Sequence, residues 1–467
     1  MKDIKNLKLA YIGGGSKQWA RIFMNDLALD EDMCGTIYLY DIDNEAAKLN
    51  KEIGNKIASH KDCKSKWKYE VSKTIDEALM GADFVIISIL PGTFKEMHSD
   101  VHEPEKYGIY QPVGDTTGPG GVLRAMRTVP IYEYFAKKIK EICPESYVIN
   151  FTNPMAICVK TLYDVFPEIK AFGCCHEVFN TQDFLCAVLK ETLNIEVKRR
   201  EIYTNVIGIN HFTWIDKATY KDINIMSLLD EFLDRYYESG YSVKGDVDAY
   251  KTNPFAYSNR VKMDLYKRYG ALGAAGDRHL VEFLNNNWYL KDKKKIEEWK
   301  FNLTSVDFRI NRMEQRIKDT IELANGTKEI ELKQSSEEAV DLMKAILGLS
   351  TMVSNVNLPN VGQIKDLPKG AIVETNALFT HNQIVPLYAG KLNDEAHNLV
   401  LRNLINQEGL YEAIKARDLN KIFNIFVNQP LCSTLTIKDA KELFKSMVFN
   451  TQKYLGDYYS IFSYYNQ

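Results

Sequence analysis

The sequence predicts an α/β protein: a Rossmann-type, doubly wound parallel sheet joined to a second, mostly helical α+β domain. Three observations carry this reading. Strand-length apolar runs alternate with amphipathic helix-length stretches through the first part of the chain. A glycine turn, Gly13-Gly14-Gly15-Ser16, follows the first of those runs. Polar clusters at 13–16, 41, 88–93, 150–154 and 173–177 all fall at the ends of predicted strands, where doubly wound sheets bind their ligands.

The elements follow in order. Residues 8–12 (Lys-Leu-Ala-Tyr-Ile) read as a buried strand, and the chain from the glycine turn to about Leu29 as a helix. Thr36–Tyr40 reads as the second strand and Phe84–Ile89 as the third. A helix is expected over 131–142, then short strands over 147–151 and 171–173. Beyond about 195 the pattern changes. Residues 197–215 look like paired strands with His211 near a bend. Periodicity then predicts helices over 224–237, 294–323, 337–353, 394–428 and 437–447. The expected division is 1–195 for the dinucleotide-binding domain and 196–467 for a domain serving substrate, metal and oligomerisation.

The 467 residues are 45% hydrophobic and 26% charged, as in ordinary globular proteins. A net charge of -3 argues against nucleic acid or an anionic membrane as partner. No apolar run is long enough to span a bilayer. The start, Met1-Lys2-Asp3-Ile4-Lys5, lacks the apolar core of a signal peptide, so a cytoplasmic protein is expected. Eight cysteines occur without a CxxC pair, which argues against a zinc ribbon or thioredoxin motif. Most are expected to be buried free thiols.

The glycine turn between a strand and a helix lets the backbone approach a pyrophosphate at the helix N-terminus. Gln18 stands where a full GxGxxG would have its third glycine, so the turn by itself is a weak signal. Asp41 closes the second strand, where a carboxylate accepts ribose hydroxyls and repels a 2′-phosphate. The expected cofactor is therefore NAD rather than NADP.

Cys175 and His211 offer a thiolate and an imidazole, good ligands for a divalent transition metal, although such a pair is more often plain core. Two ligands leave coordination positions open for substrate and water. Asn153, in Thr-Asn-Pro at a strand end, offers a carboxamide to a hydroxyl, and His176 reads either as a contact or as a helix-start residue. Two further stretches carry charge: the glycine loop 113–121 with Asp115, followed by Arg124 and Arg127, and Ala274-Ala275-Gly276-Asp277-Arg278-His279. The first is otherwise a surface loop with a helix cap, the second a helix N-cap.

Together these residues resemble glycoside hydrolase family 4, the NAD- and metal-dependent glycosidases that depart from the usual pair of carboxylates. The resemblance runs through Ile12–Ser16, Leu39–Asp43, Gly120–Ala125, Thr152–Pro154, Cys175-His176-Glu177-Val178, Asn210-His211 and Asn360–Ile364. It implies transient oxidation of the sugar at C3, loss of the C2 proton, elimination at C1, addition of water and return of the hydride. It implies Cys175 and His211 as ligands of Mn²⁺ or another divalent metal, and Gly13, Gly14, Gly15, Ser16 and Asp41 as the NAD site. Asn153 and His176 would contact substrate hydroxyls. Asp277 would be the C2 base, and Asp115 the leaving-group acid or otherwise a substrate contact.

The sequence after the motif cysteine is similar to the branch acting on non-phosphorylated α-glycosides, above all the α-galacturonidases, with α-galactosidase and α-glucosidase as alternatives. A uronate carboxylate calls for a cation, for which bidentate arginine is the usual solution. Arg278 is the first candidate, with Lys17 and Arg124 behind it. A small sugar or oligogalacturonide is the expected partner, and the family resemblance implies a homodimer or homotetramer. The rival readings are a malate- or lactate-type NAD dehydrogenase and a non-catalytic nucleotide sensor.

Overall fold

The computed structural model describes residues 3–458; Met1 and Lys2 of the N-terminal stretch read above lie outside that range. Six parallel strands, β1 (Leu7–Ile12), β2 (Gly35–Tyr40), β3 (Lys68–Val71), β4 (Phe84–Ile87), β5 (Tyr147–Asn150) and β6 (Lys170–Gly173), lie in the order β6-β5-β4-β1-β2-β3. β4 and β5 are buried at every position. Their continuous apolar sequence is what a central strand covered on both faces requires.

The two faces sort by alternation along each strand. Leu9, Tyr11, Phe84 and Ile86 pack beneath the helices Trp19–Leu29 and Asn44–Ala58. Ala10, Ile12, Val85 and Ile87 pack on the other side, against Tyr132, Phe135 and Ile139 of the helix Gly118–Ile142. β1 has β2 on one side and β4 on the other, so the winding reverses there and opens a crevice at their carboxyl ends.

A hairpin of β7 (Tyr203–Ile209) and β8 (Phe212–Tyr220) turns at Asn210-His211 and gains β9 (Ile223–Asn224) and β10 (Leu272–Gly273) as short partners. Three strands that the sequence reading did not anticipate then complete the first sheet. They are β11 (Met352–Pro359), β12 (Ile372–Thr380) and β13 (Gln383–Pro386), all antiparallel. β11 joins at the Asn357–Gly173 pair beside β6, giving nine strands. Polar residues, Asn355, Asn357 and Glu374, stand at buried positions of these strands. They blur the apolar alternation that identifies a strand in sequence.

Several helices also differ in extent. The expected helix over 131–142 begins at Gly118, because Gly118-Pro119-Gly120-Gly121 already forms its first turn. A Cβ on Gly120 would stand 2.5 Å from the Gly114 carbonyl oxygen, so only glycine lets the helix start against that loop. The predicted helix 294–323 is two, Lys293–Glu298 and Val306–Asn325, the second capped by Ser305. The predicted 394–428 breaks at Arg417, which is left-handed (φ 55°), before Asp418 caps the next helix. The predicted 337–353 is the helix Ala339–Ile346, stopped by Gly348 at φ 83° ahead of β11.

The hairpin is stitched to the C-terminal strands by carboxamides: Asn376 Nδ2 donates to the Thr204 carbonyl (2.7 Å) and Asn205 Nδ2 to the Ala389 carbonyl (2.9 Å). Phe212 and Trp214 of β8 share one core with Val400, Leu404, Phe426 and Met447 of the C-terminal helices. Among the described residues, no helix is long and apolar enough to cross a membrane.

Candidate active site

The crevice between β1 and β4 is closed at its base by the glycine turn. Gly13 and Gly14 both donate their amides to the Tyr40 carbonyl (2.9 Å each), drawing the turn onto the end of β2. A Cβ on Gly13 would lie 2.0 Å from the Ser88 oxygen, and one on Gly14 2.8 Å from the Leu39 backbone. Gly15 donates to Asp41 Oδ2 (2.8 Å), while Asp41 Oδ1 accepts from the Asp43 amide (2.9 Å). Close approach to neighbouring strands therefore accounts for the glycines, and Asp41 is fixed at the strand end with lone pairs to spare for ribose hydroxyls. Gln18 gives the following helix no side-chain cap, which leaves first-turn amides for a phosphate. These features fit a dinucleotide.

Across the crevice, Cys175 follows β6 and His211 closes the β7–β8 turn; both are buried. His211 has a left-handed backbone (φ 63°), a costly conformation for a residue other than glycine. Thr116 Oγ1 lies 2.9 Å from its Nδ1, which leaves Nε2 as the ring atom for a ligand. Burial, and then the neighbouring His279, hold the His211 imidazole down at about 3, so the ring is neutral. The Cys175 thiol is pushed up, by burial and then by Glu374 and Glu177.

Around this pair are the buried carboxamide oxygens of Asn153 and Asn210, each without a hydrogen-bond partner. The Thr-Asn-Pro turn is locked in place. Asn150, at the end of β5, accepts from the Tyr132 hydroxyl (2.5 Å), Thr152 Oγ1 accepts from the Ile89 amide (2.9 Å), and Arg124 Nε donates to the Asn153 carbonyl (3.1 Å). A thiol, a neutral imidazole and unpartnered carboxamide oxygens fit a divalent transition metal. Among the described residues, no three His, Cys, Asp or Glu side chains stand together as a metal-binding group.

Four charged groups that the sequence reading gave no role organise the site. Glu177 accepts from the Gly276 amide (2.8 Å) and faces His279 (3.5 Å) and His176 (3.7 Å). Burial would raise its carboxyl, but the His279 and His176 charges outweigh it and keep Glu177 well below the usual range. His176 also meets Glu337 (3.2 Å). Burial pulls its imidazole down, yet Glu337 and Glu177 together raise it to about 9. Glu282 Oε1 accepts both the Val113 and Gly114 amides (2.7 and 2.9 Å), so it holds the loop that presents Asp115. Glu374 accepts from Asn210 (3.1 Å) and Asn355 (2.7 Å). Burial brings both Glu282 and Glu374 up to about 7. Glu177 stood inside a motif that was read; Glu282, Glu337 and Glu374 gave no sequence signal.

The structure sets Gly13 to Ser16 and Asp41 at the crevice, puts Asn153 and Cys175 just after β5 and β6, links His211 through Thr116 to Asp115 (2.9 and 2.8 Å), and qualifies three expectations. Asp115 is half-buried, but Arg124, then His211 and His279, overcome its desolvation and hold it at about 2. An ionised carboxylate has no proton to give a leaving group, so the electrostatics favour its second expected role, a substrate contact.

Asp277 accepts the amides of Lys262 (3.1 Å) and Val261 (3.3 Å), capping the helix Arg260–Tyr269 from across the fold rather than its own short helix. Burial raises its carboxyl to about 6 against the pull of Lys262. Arg278 engages Nη2 with the Pro112 carbonyl (3.0 Å) and Thr304 Oγ1 (2.5 Å). Both Nη2 hydrogens are then taken, and the two-pronged grip expected of it is not available on that side. Its Nε and that of the nearby Arg309 are both buried without a partner.

Comparison with known proteins agrees with this geometry. The model of the family 4 glycosyl hydrolases matches residues 8–191, and that of their C-terminal domain matches 206–432. An α-galacturonidase of Thermoanaerobacterium saccharolyticum is 53% identical over 453 residues, covering 97% of each chain. The α-galacturonidase of Bacillus subtilis is 47% identical, covering 96% of this chain and 98% of its own. A crystal structure from Bacillus subtilis, of a protein provisionally named a glucosidase, has a TM-score of 0.90 at 47% identity, covering 95% of this chain and all of its own. A 6-phospho-α-glucosidase from gut microorganisms, solved with NAD and Mn²⁺, shares the fold at a TM-score of 0.79 and 18% identity, over 96% of this chain and 99% of its own. With family models matching both halves of the chain and a relative 53% identical over 97% of it, the protein belongs to family 4 of the glycosyl hydrolases.

Proposed function

We propose that this glycosidase cleaves α-galacturonides, using NAD and a divalent metal such as Mn²⁺ by way of a transient oxidation of the sugar. The observation that carries this reading is the Cys175–His211 pair with the unpartnered Asn153 and Asn210 oxygens beside it. The α-galacturonidase relatives supply the substrate class.

When bound, the dinucleotide supplies a reversible hydride acceptor for C3 and the cation a Lewis acid for the sugar's O2 and O3. The chain's own groups do the rest. Cys175 and His211 hold the metal; the neutral state of His211 leaves its lone pair free to do so. Asn153 accepts from a sugar hydroxyl and the charged His176 donates to one. Asp115 orders a further hydroxyl as an acceptor. Asp277, mostly ionised above about 6, takes the C2 proton, with Lys262 and the half-buried Tyr257 beside it. Arg278 and Arg309 supply the positive charge that a uronate carboxylate needs.

All eight cysteines are free thiols, in keeping with a reducing cytoplasm. Exposed Ile405, Ile437 and Phe449 on the C-terminal helices support assembly as a homodimer or homotetramer through that surface.

The test is a panel of p-nitrophenyl α-glycosides and short galacturonides with NAD⁺, Mn²⁺ and a thiol reductant. Cleavage of the galacturonide should exceed that of the galactoside and the glucoside and should vanish without either cofactor. Net NADH accumulation without cleavage would establish the dehydrogenase reading instead.

A further inference from the structure

The helix Val306–Asn325 carries Arg309, Arg312 and Arg316, spaced three and four residues apart and hence along one face. Among the described residues, none of the three has an acidic partner in an ion pair. Arg312 instead lies over the Phe255 ring (4.9 Å), as Arg278 does (5.1 Å), so Phe255 joins the two guanidinium groups. Farther along, Arg316 is depressed by burial and then by the charges of Arg312, Arg21 and Arg309. Of the acids on this helix, Asp307, Glu314, Asp319 and Glu322, Asp319 stands three residues after Arg316 and is already engaged by Lys328 (2.6 Å). The row starts at Arg309, which feels the charges of Asp115 and Glu282, and runs outward to Arg316, which feels that of Arg21 on the helix after the glycine turn. Like charges set in a row without ion-pair partners oppose one another, and a ligand with several negative charges relieves that repulsion.

We propose that Arg312 and Arg316, continuing outward from Arg309, bind successive carboxylates of an oligogalacturonide on the leaving-group side of the cleaved bond. This rests on the galacturonide reading above. The helical rise places Arg312 and Arg316 about 6 Å apart, a separation on the scale of one sugar unit. Guanidinium groups pair with carboxylates through charge-assisted hydrogen bonds. The other anion within reach is the cofactor's pyrophosphate, because Arg21 lies on the helix after the glycine turn, and the experiment separates the two.

The double variant Arg312→Gln/Arg316→Gln is compared with the native protein, both loaded with NAD⁺ and Mn²⁺, on trigalacturonide and on p-nitrophenyl α-galacturonide. The ratio of the two KM values, trimer over monomer, should rise by about tenfold or more, as expected for lost charge-assisted hydrogen bonds. The Arg312→Lys/Arg316→Lys variant should recover part of that change. An unchanged ratio overturns the proposal. So does a rise in the Kd for NAD⁺, measured without sugar, that accounts for the whole effect. Failure of the native protein to cleave either substrate would sink the functional reading instead. Direct titration of the loaded protein with trigalacturonide then still decides the row, through weaker binding in the double Gln variant or its absence.

Discussion

The rings of His211 and His279 lie with their centroids 4.0 Å apart, one on a hairpin turn and the other on the helix Asp277–Leu280. Two imidazoles this close in a buried site resist carrying charge together, and His211 is accordingly held neutral. That relationship ties the β7–β8 turn to the Gly276–His279 loop and sets up the first prediction.

Replacing either member of the thiol–imidazole pair should separate metal binding from folding. His211→Asn and Cys175→Ser are each expected to lower kcat/KM by roughly 100-fold or more and to raise the Mn²⁺ concentration needed for half-maximal activity. Thermal unfolding without metal checks that the fold survives. A Mn²⁺ titration that overlays the native curve would remove both residues from the metal site.

Asp41 holds the Gly15 amide and stands where ribose hydroxyls would bind. Asp41→Ala should weaken NAD⁺ binding by about tenfold and narrow the preference for NAD⁺ over NADP⁺, since the negative charge facing a 2′-phosphate is gone. Fluorescence titration with each dinucleotide reads both effects. An unaltered preference would return Asp41 to a turn-forming role.

Asp115 is expected to act as an ion. Held at about 2, it should contribute no titration to the kcat/KM profile above pH 4. Asp115→Asn should lower kcat/KM by roughly 10- to 100-fold, the worth of a hydrogen bond to a charged group, while leaving the shape of the profile unchanged. Loss of a basic limb in the variant would instead show that Asp115 delivers a proton.

Glu282 gives a prediction about stability. Its folded pKa of about 7 lies above the ordinary glutamate value of 4.5, so the folded state holds the proton that the unfolded chain releases. Native stability from this group therefore falls as pH rises from about 4.5 to 7 and stays low above that. Gln can keep the bonds to Val113 and Gly114, which both reach Oε1. The unfolding free energy of Glu282→Gln relative to the native protein should grow between pH 5 and 8 by about 3 kcal/mol. Denaturant unfolding at both pH values measures it, and a pH-independent difference would refute the buried, raised carboxyl.

Arg278 and Arg309 can be distinguished through the ratio of galacturonide to galactoside activity. Arg309→Gln should lower that ratio by about tenfold or more, because its Nε, like that of Arg278, has no partner within the protein. Arg278→Gln should cost stability as well, through the lost bonds to Pro112 and Thr304. If neither variant moves the ratio, the carboxylate is recognised elsewhere.

The sequence by itself determined five of the six parallel strands, because strands buried on both faces must be short, apolar and punctuated at their ends; the edge strand β3, largely exposed, gave no such signal. It also singled out the glycine turn, Asp41, Cys175 and His211, since these residue types stand at strand ends and in turns where side chains can reach a ligand. Only the tertiary structure decided that β11–β13 complete the same sheet, bringing Glu374, Asn355 and Asn357 behind Cys175. It alone decided the charge states, raising Glu282, lowering Asp115 and leaving Arg309 without a partner. Periodicity and local spacing report on neighbours along the chain, whereas burial and the field of distant charges depend on what the fold carries next to a group.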